Sequence, residues 1–172
     1  MRGVNKPLAL LVGFLTLNVA SLPHATLAEL APVTVDCLKK ASRRFEVPLE
    51  LALGVLATEG GQVGRVNFNK TGTYDLGPMQ INSTWLPILA ELGVRPKDVR
   101  DNGCANVAIG VWILRLNYLE TKDKEKALAY YHSRNPKKGR AYARVAKLRA
   151  KTSNLKKTLN KANALIGQNS SR

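Results

Sequence analysis

Apolar positions fall in blocks along this chain, and the spacing inside most blocks is helical. Val35 to Glu46 mixes apolar and basic positions with a helical period, and Thr34 or Asp36 can cap it. Val47-Pro48 interrupts the pattern. Proline suits a first helical position, so a second helix opens at Pro48. Its Leu49, Leu51, Ala52, Leu53, Val55, Leu56 and Ala57 cover almost every face, which marks a buried helix, and the run ends at Glu59-Gly60-Gly61. From Gly60 to Pro78, glycines with Asn67, Asn69, Thr71 and Thr73 predict an irregular stretch with at most a small hairpin. Helical patterning returns over Ser83 to Leu92 and Gly93 stops it. Pro96 to Arg100 reads as a short turn of helix, and Asp101 or Asn102 caps a long apolar helix from Cys104 to Leu119. Thr121 caps the next helix, which stops near His132, and Arg134-Asn135-Pro136 reads as a loop. Beyond it Leu148, Leu155, Leu159, Ala162 and Ile166 form one stripe of a basic amphipathic helix. The fold class is all-α: one helical domain with a short glycine-rich insertion beside the buried helix.

Composition adds a compartment and a charge. The chain has 172 residues, 45% of them apolar, which suits one compact domain with short extensions. Lys and Arg total 27 against 12 acids, a net charge of +15, which favours negatively charged partners such as an acidic wall polymer, anionic lipid or nucleic acid. After Glu125 no acid occurs. At the start, Arg2 and Lys6 precede an uncharged apolar run, Leu8 to Ala20, and Thr26-Leu27-Ala28 offers a small-residue cleavage site. That is the layout of a secretory signal peptide over residues 1–28, and the run is short for a membrane span, which needs about 20 residues. Cleavage there leaves 172 − 28 = 144 residues with a charge of 27 − 2 − 12 = +13, and a periplasmic location. In an oxidising compartment the two cysteines, Cys37 and Cys104, suggest one disulfide, with two buried thiols as the alternative.

Several chemistries drop out. His24 leaves with the leader, so only His132 remains, and a metal site of several histidines or closely spaced cysteines cannot be assembled. There is no Gly-x-Ser-x-Gly elbow and no phosphate-cradling glycine loop. What remains is carboxylate, hydroxyl and amide chemistry.

Glu59 ends a run of ten residues whose only other charge is Glu50. A carboxyl group there is desolvated and sits at the negative end of a helix dipole, and both effects raise its pKa. An acid protonated near neutral pH is what protonation of a glycosidic oxygen requires; a surface glutamate at a helix end is the alternative. The following stretch, Tyr74-Asp75-Leu76-Gly77-Pro78-Met79-Gln80-Ile81-Asn82-Ser83, places amides at Gln80 and Asn82, where they can bond sugar acetamido and hydroxyl groups or simply cap and satisfy the backbone.

Glu59, then Asp75 to Asn82, then Tyr131-His132-Ser133, resembles the soluble-lytic-transglycosylase-like family, over roughly Asp36 to Val145. More narrowly it resembles the small exported members that accompany secretion (type III or type IV), conjugation and pilus machines, whose cysteine pair Cys37 and Cys104 also match. The resemblance implies a lysozyme-like domain over 29–149, followed by a basic helical tail over 150–172. It implies Glu59 as catalytic acid and base, Gln80 and Asn82 as cleft-lining groups, and Tyr131 as support for the glutamate and the sugar. Met79, Tyr74 and His132 join them as substrate-binding candidates. The departures are Gly60 for a usual serine, Pro78 for leucine, and His132-Ser133-Arg134 for Asn-Ala-Gly. The implied reaction cuts the bond between N-acetylmuramic acid and N-acetylglucosamine in peptidoglycan strands, forms a 1,6-anhydro sugar, and requires no metal or organic cofactor. Two other readings remain: a lysozyme-type hydrolase using Asp75 as a second carboxylate, and a non-catalytic basic module for wall polymer or nucleic acid. Asp75 is expected to close its loop, and the basic residues gather after Arg134, away from the motifs; nucleic acid is therefore not the expected partner.

Overall fold

The computed structural model describes residues 30–166; the expected leader and residues 167–172 lie outside them. The described chain folds into helices α1 (Val35–Arg44), α2 (Leu49–Glu59), α3 (Leu86–Glu91), α4 (Pro96–Asp101), α5 (Gly103–Thr121), α6 (Lys124–His132), α7 (Pro136–Thr152) and α8 (Leu155–Ala162). Strands β1 (Val66–Phe68), β2 (Tyr74–Leu76) and β3 (Ile81–Asn82) form one antiparallel sheet in that order, with Asn67 opposite Asp75 and Asp75 opposite Asn82. The expected small hairpin thus gains a third strand, so the domain is mostly helical with a small sheet.

Local chemistry explains the boundaries. Thr34 caps α1 by accepting from the Cys37 amide. Pro48 is the residue before α2 rather than its first member, and Gly60, left-handed at φ 58°, ends α2. Six consecutive residues of α2, Ala52 to Ala57, are buried, as the all-round apolar pattern predicts. Asn102 caps α5. Asp123, not Thr121, caps α6, because α5 extends through Thr121 and the Asp123 carboxylate meets the Glu125 and Lys126 amides. Asn135 and Pro136 are not a free loop but the cap and first residue of α7.

Two contacts fix the frame. The disulfide Cys37–Cys104 ties α1 to α5 with Cα atoms 5.2 Å apart. α2 and α7 pack backbone to backbone: a Cβ on Gly54 would lie 2.5 Å from the Ala146 carbonyl and 2.9 Å from the Ala150 methyl. Only small residues permit that approach.

The C-terminal segment is part of this body. The expected tail boundary at 149/150 falls inside α7, and the predicted single basic helix breaks at Ser153-Asn154, where the Asn154 side chain caps α8. Leu159 and Ala162 of α8 are buried in the core, while Leu148, expected on the same stripe, is 61% exposed. Asn163 closes the fold by exchanging side-chain hydrogen bonds of 2.8 and 2.9 Å with the Val33 backbone.

Candidate active site

The end of α2, the turn before β3 and the first half of α7 converge on Glu59. The antiparallel α2–α7 contact puts Tyr142 one helical turn before Ala146, on the same face of α7, and its hydroxyl donates to Glu59 Oε1 at 2.7 Å. Arg149, on the next turns, donates to the Ala57 carbonyl at 2.8 Å, a cation at the negative end of α2. Burial raises the Glu59 carboxyl from its ordinary 4.5 to about 7; the Tyr142 bond opposes this, and the negative charge of Asp75 adds to it. The physical cause foreseen for Glu59, desolvation, is the largest one.

Asp75 itself is held by amides. Its Oδ1 accepts from Asn82 at 2.7 Å and its Oδ2 from Asn69 at 3.0 Å, the loop-closing role expected of it. Beneath the turn, fully buried Asn106 of α5 accepts from the Met79 amide at 2.8 Å and donates to the Leu76 and Val99 carbonyls, each at 2.8 Å. This one side chain fastens the Leu76–Met79 turn to the core. Gly61 lets the turn close, since a Cβ there would collide with the Gly77 carbonyl and the Gln80 amide nitrogen.

Residues 36–154 match the family described as the transglycosylase SLT domain. The chain belongs to that family. Membership supports lytic-transglycosylase-type activity in general. Among similar proteins, Invasion protein IagB of Salmonella typhimurium is 30% identical over 114 residues, covering 65% of this chain and 71% of that one. Invasion protein IagB of Salmonella typhi is 32% identical over 80 residues, 46% of this chain and 50% of that one. Protein IpgF of Shigella flexneri is 30% identical over 105 residues, 60% of this chain and 69% of that one.

Within this SLT domain the expected site residues divide. Gln80, at φ 51°, turns its side chain inward: its amide nitrogen donates to the Gly77 carbonyl at 2.8 Å and its oxygen accepts from Asn67 at 2.5 Å. Asn82 spends its oxygen capping Thr84 at 3.1 Å and its nitrogen on Asp75 and Thr73. Both amides therefore build the turn first and have little capacity left for a sugar. Met79 is corrected: it is 0% exposed, packed where a Cβ on Gly110 would touch its sulfur, and its side chain is core rather than substrate-binding. Tyr131 is corrected as the partner of the glutamate. Its hydroxyl donates to the Met79 carbonyl at 2.9 Å, and Tyr142 takes the expected place. His132 is exposed and stacks flat on the Tyr142 ring, centroids 4.9 Å apart, with Tyr131 stacked at 6.3 Å. Tyr74 is half-buried, its ring 6.0 Å from Phe68 at the sheet edge and its amide donating to Ser83. Sequence reasoning missed Tyr142 and Asn106. The available signals were an aromatic in an otherwise basic helix and a polar residue inside an apolar one.

No helix among the described residues is long and apolar enough to cross a membrane.

Proposed function

We propose that this protein is a peptidoglycan lytic transglycosylase in which Glu59 is both acid and base. The observation that carries the reading is a half-buried carboxyl, raised to about 7, with one oxygen engaged by Tyr142. With Oε1 accepting from Tyr142, the acidic proton sits on Oε2 and faces the glycosidic oxygen between N-acetylmuramic acid and N-acetylglucosamine. As that oxygen is protonated, the bond from it to the muramic C1 breaks, and the substrate's acetamido oxygen stabilises the positive charge at C1. The Glu59 carboxylate then removes the proton of the muramic C6 hydroxyl, whose oxygen bonds to C1. The product is a 1,6-anhydro sugar, no water is consumed, and Glu59 is restored to its acid form. Asp75 supports this reading over hydrolysis, because both its oxygens are taken by amides, and a second carboxylate is what hydrolysis ordinarily uses.

Incubation of purified peptidoglycan with the protein and with Glu59→Gln, followed by mass spectrometry, tests it. Anhydro-muropeptides released only by the wild type support the mechanism. Products carrying one added water would overturn it in favour of a lysozyme.

The similarity to proteins named for invasion favours local opening of the wall for a trans-envelope machine. Loss of that machine's assembly without loss of bulk wall turnover in a strain lacking the chain is the expected phenotype. Export through cleavage after Ala28 into the periplasm should be visible as the N-terminus of the mature protein; retention of residues 1–28 would refute it.

A further inference from the structure

A groove of about 610 Å³ opens at the end of α2, within the range of roughly 300–1,000 Å³ typical of small-molecule sites. Its floor is Gly60 and Gly61, and its walls are the end of α7 and the exposed side of α8. The floor begins one residue from Glu59, about 3.8 Å along the Cα trace. Three cations line it, Arg149, Lys157 and Lys161, and no acid does. None of the three belongs to an ion pair among the described residues, whereas Lys40, Arg95, Arg100, Arg115, Arg134 and Lys147 each have a carboxylate partner. Lys161 lies over the floor: its Nζ is 2.6 Å from the position a Gly60 Cβ would take. Lys157 and Lys161 belong to α8, beyond the residues 36–154 that match the family. Two of the groove's three cations thus come from the segment after the family match, and the third, Arg149, from within it.

A sugar strand cut at Glu59 is itself uncharged along its backbone. Its negative charges are the free carboxylates of the peptide stem, which hangs from the lactyl group of each muramic residue. We propose that the Arg149–Lys157–Lys161 groove is a subsite for those carboxylates, so that the enzyme selects stem-bearing strands over bare glycan. The inference rests on the peptidoglycan reading above for its substrate, but not on Glu59 chemistry. Charge complementarity here is solvent-facing, so the preference is modest and salt-sensitive: the screening length is about 8 Å at physiological salt and about 3 Å at 1 M.

The test compares strands whose stem carboxylates are free with the same strands after those carboxylates are converted to amides. The readout is the ratio of kcat/KM for the two, together with binding of the isolated stem tetrapeptide measured by calorimetry. For the wild type the ratio should be roughly fivefold to tenfold, the size expected of two or three exposed charge pairs, and should collapse toward one at 1 M salt. Lys157→Ala/Lys161→Ala should bring the ratio near one and abolish tetrapeptide binding, while Lys157→Arg/Lys161→Arg restores both. Lys39→Ala/Lys126→Ala removes the same charge elsewhere on the surface and should leave the ratio intact. A wild-type ratio of one, or a ratio insensitive to the α8 lysines, overturns the proposal. So does wild-type affinity for vesicles of anionic lipid that falls with Lys157→Ala/Lys161→Ala while tetrapeptide is not bound, which would make the groove a lipid-headgroup site. If no strand is cut but tetrapeptide binds through the α8 lysines, the catalytic reading fails and the subsite stands.

Discussion

Replacing Glu59 by glutamine should make this protein more stable as well as inactive, and only at neutral to alkaline pH. Burial raises the Glu59 carboxyl from 4.5 to about 7, so the folded state holds the proton more tightly than the unfolded chain does. The associated stability is fully present below 4.5 and is lost as pH rises from 4.5 through about 7, because folding must then bury an anion. At about 1.4 kcal/mol per tenfold change in proton affinity, the loss reaches about 3 kcal/mol by pH 8. Glutamine has nearly the same shape, keeps an oxygen for the Tyr142 hydroxyl and never ionises, so it escapes that loss. For a domain of this size about 3 kcal/mol corresponds to a Tm difference of roughly 6–12 °C. Thermal denaturation followed by circular dichroism, for both proteins across pH 4 to 8, is the assay. The two curves of Tm against pH should meet near pH 4 and separate, with Glu59→Gln above, through pH 5 to 7. A difference that stays flat with pH, or a variant less stable at pH 8, would refute the claim that an ionised Glu59 is costly to bury. The instability of the anion would then no longer explain its acidity in catalysis.

The same group sets the activity profile: cleavage should need protonated Glu59 and fall about tenfold per unit above pH 7, which rate measurements on solubilised strands can follow. Tyr142→Phe removes the bond that opposes the rise in the Glu59 pKa, so the falling limb should move to higher pH; a slower enzyme with an unmoved limb would reduce Tyr142 to a packing role. Asn106→Ala strands one buried amide and two buried carbonyls, and should cost about 3–5 kcal/mol in urea denaturation with a parallel loss of activity, since the turn beside Glu59 is released. Reduction of Cys37–Cys104, which span 67 positions, should lower stability by about 4 kcal/mol on chain-entropy grounds, read as a shift of the denaturation midpoint on adding a reductant.

How much of this was legible in the sequence depends on the range of the forces involved. Glu59 was legible because the sign of its burial lies in its own helix: six successive buried residues precede its last turn and a left-handed glycine follows it. The disulfide needed only two cysteines and a compartment. Tyr142 was not legible, because its approach to Glu59, 83 positions away, is created by Gly54 meeting Ala146 and Ala150. Small residues that let backbones touch leave no strong periodic signal, and the leucines beyond them drew the apolar stripe of the basic helix elsewhere. The same misreading ran α7 and α8 together: Leu148 suggested one stripe, whereas the inward face of α7 is Tyr142, Ala143 and Ala146, and the break at Ser153-Asn154 is a cap that redirects the chain. Gln80 left two readings open, an amide for sugar groups or one satisfied within the fold, and its positive φ decides for the second by folding the amide onto Gly77. Sequence reading therefore picked out the carboxyl that the structure buries and perturbs. It missed which groups hold and tune it, since those follow from how closely two distant helices can approach.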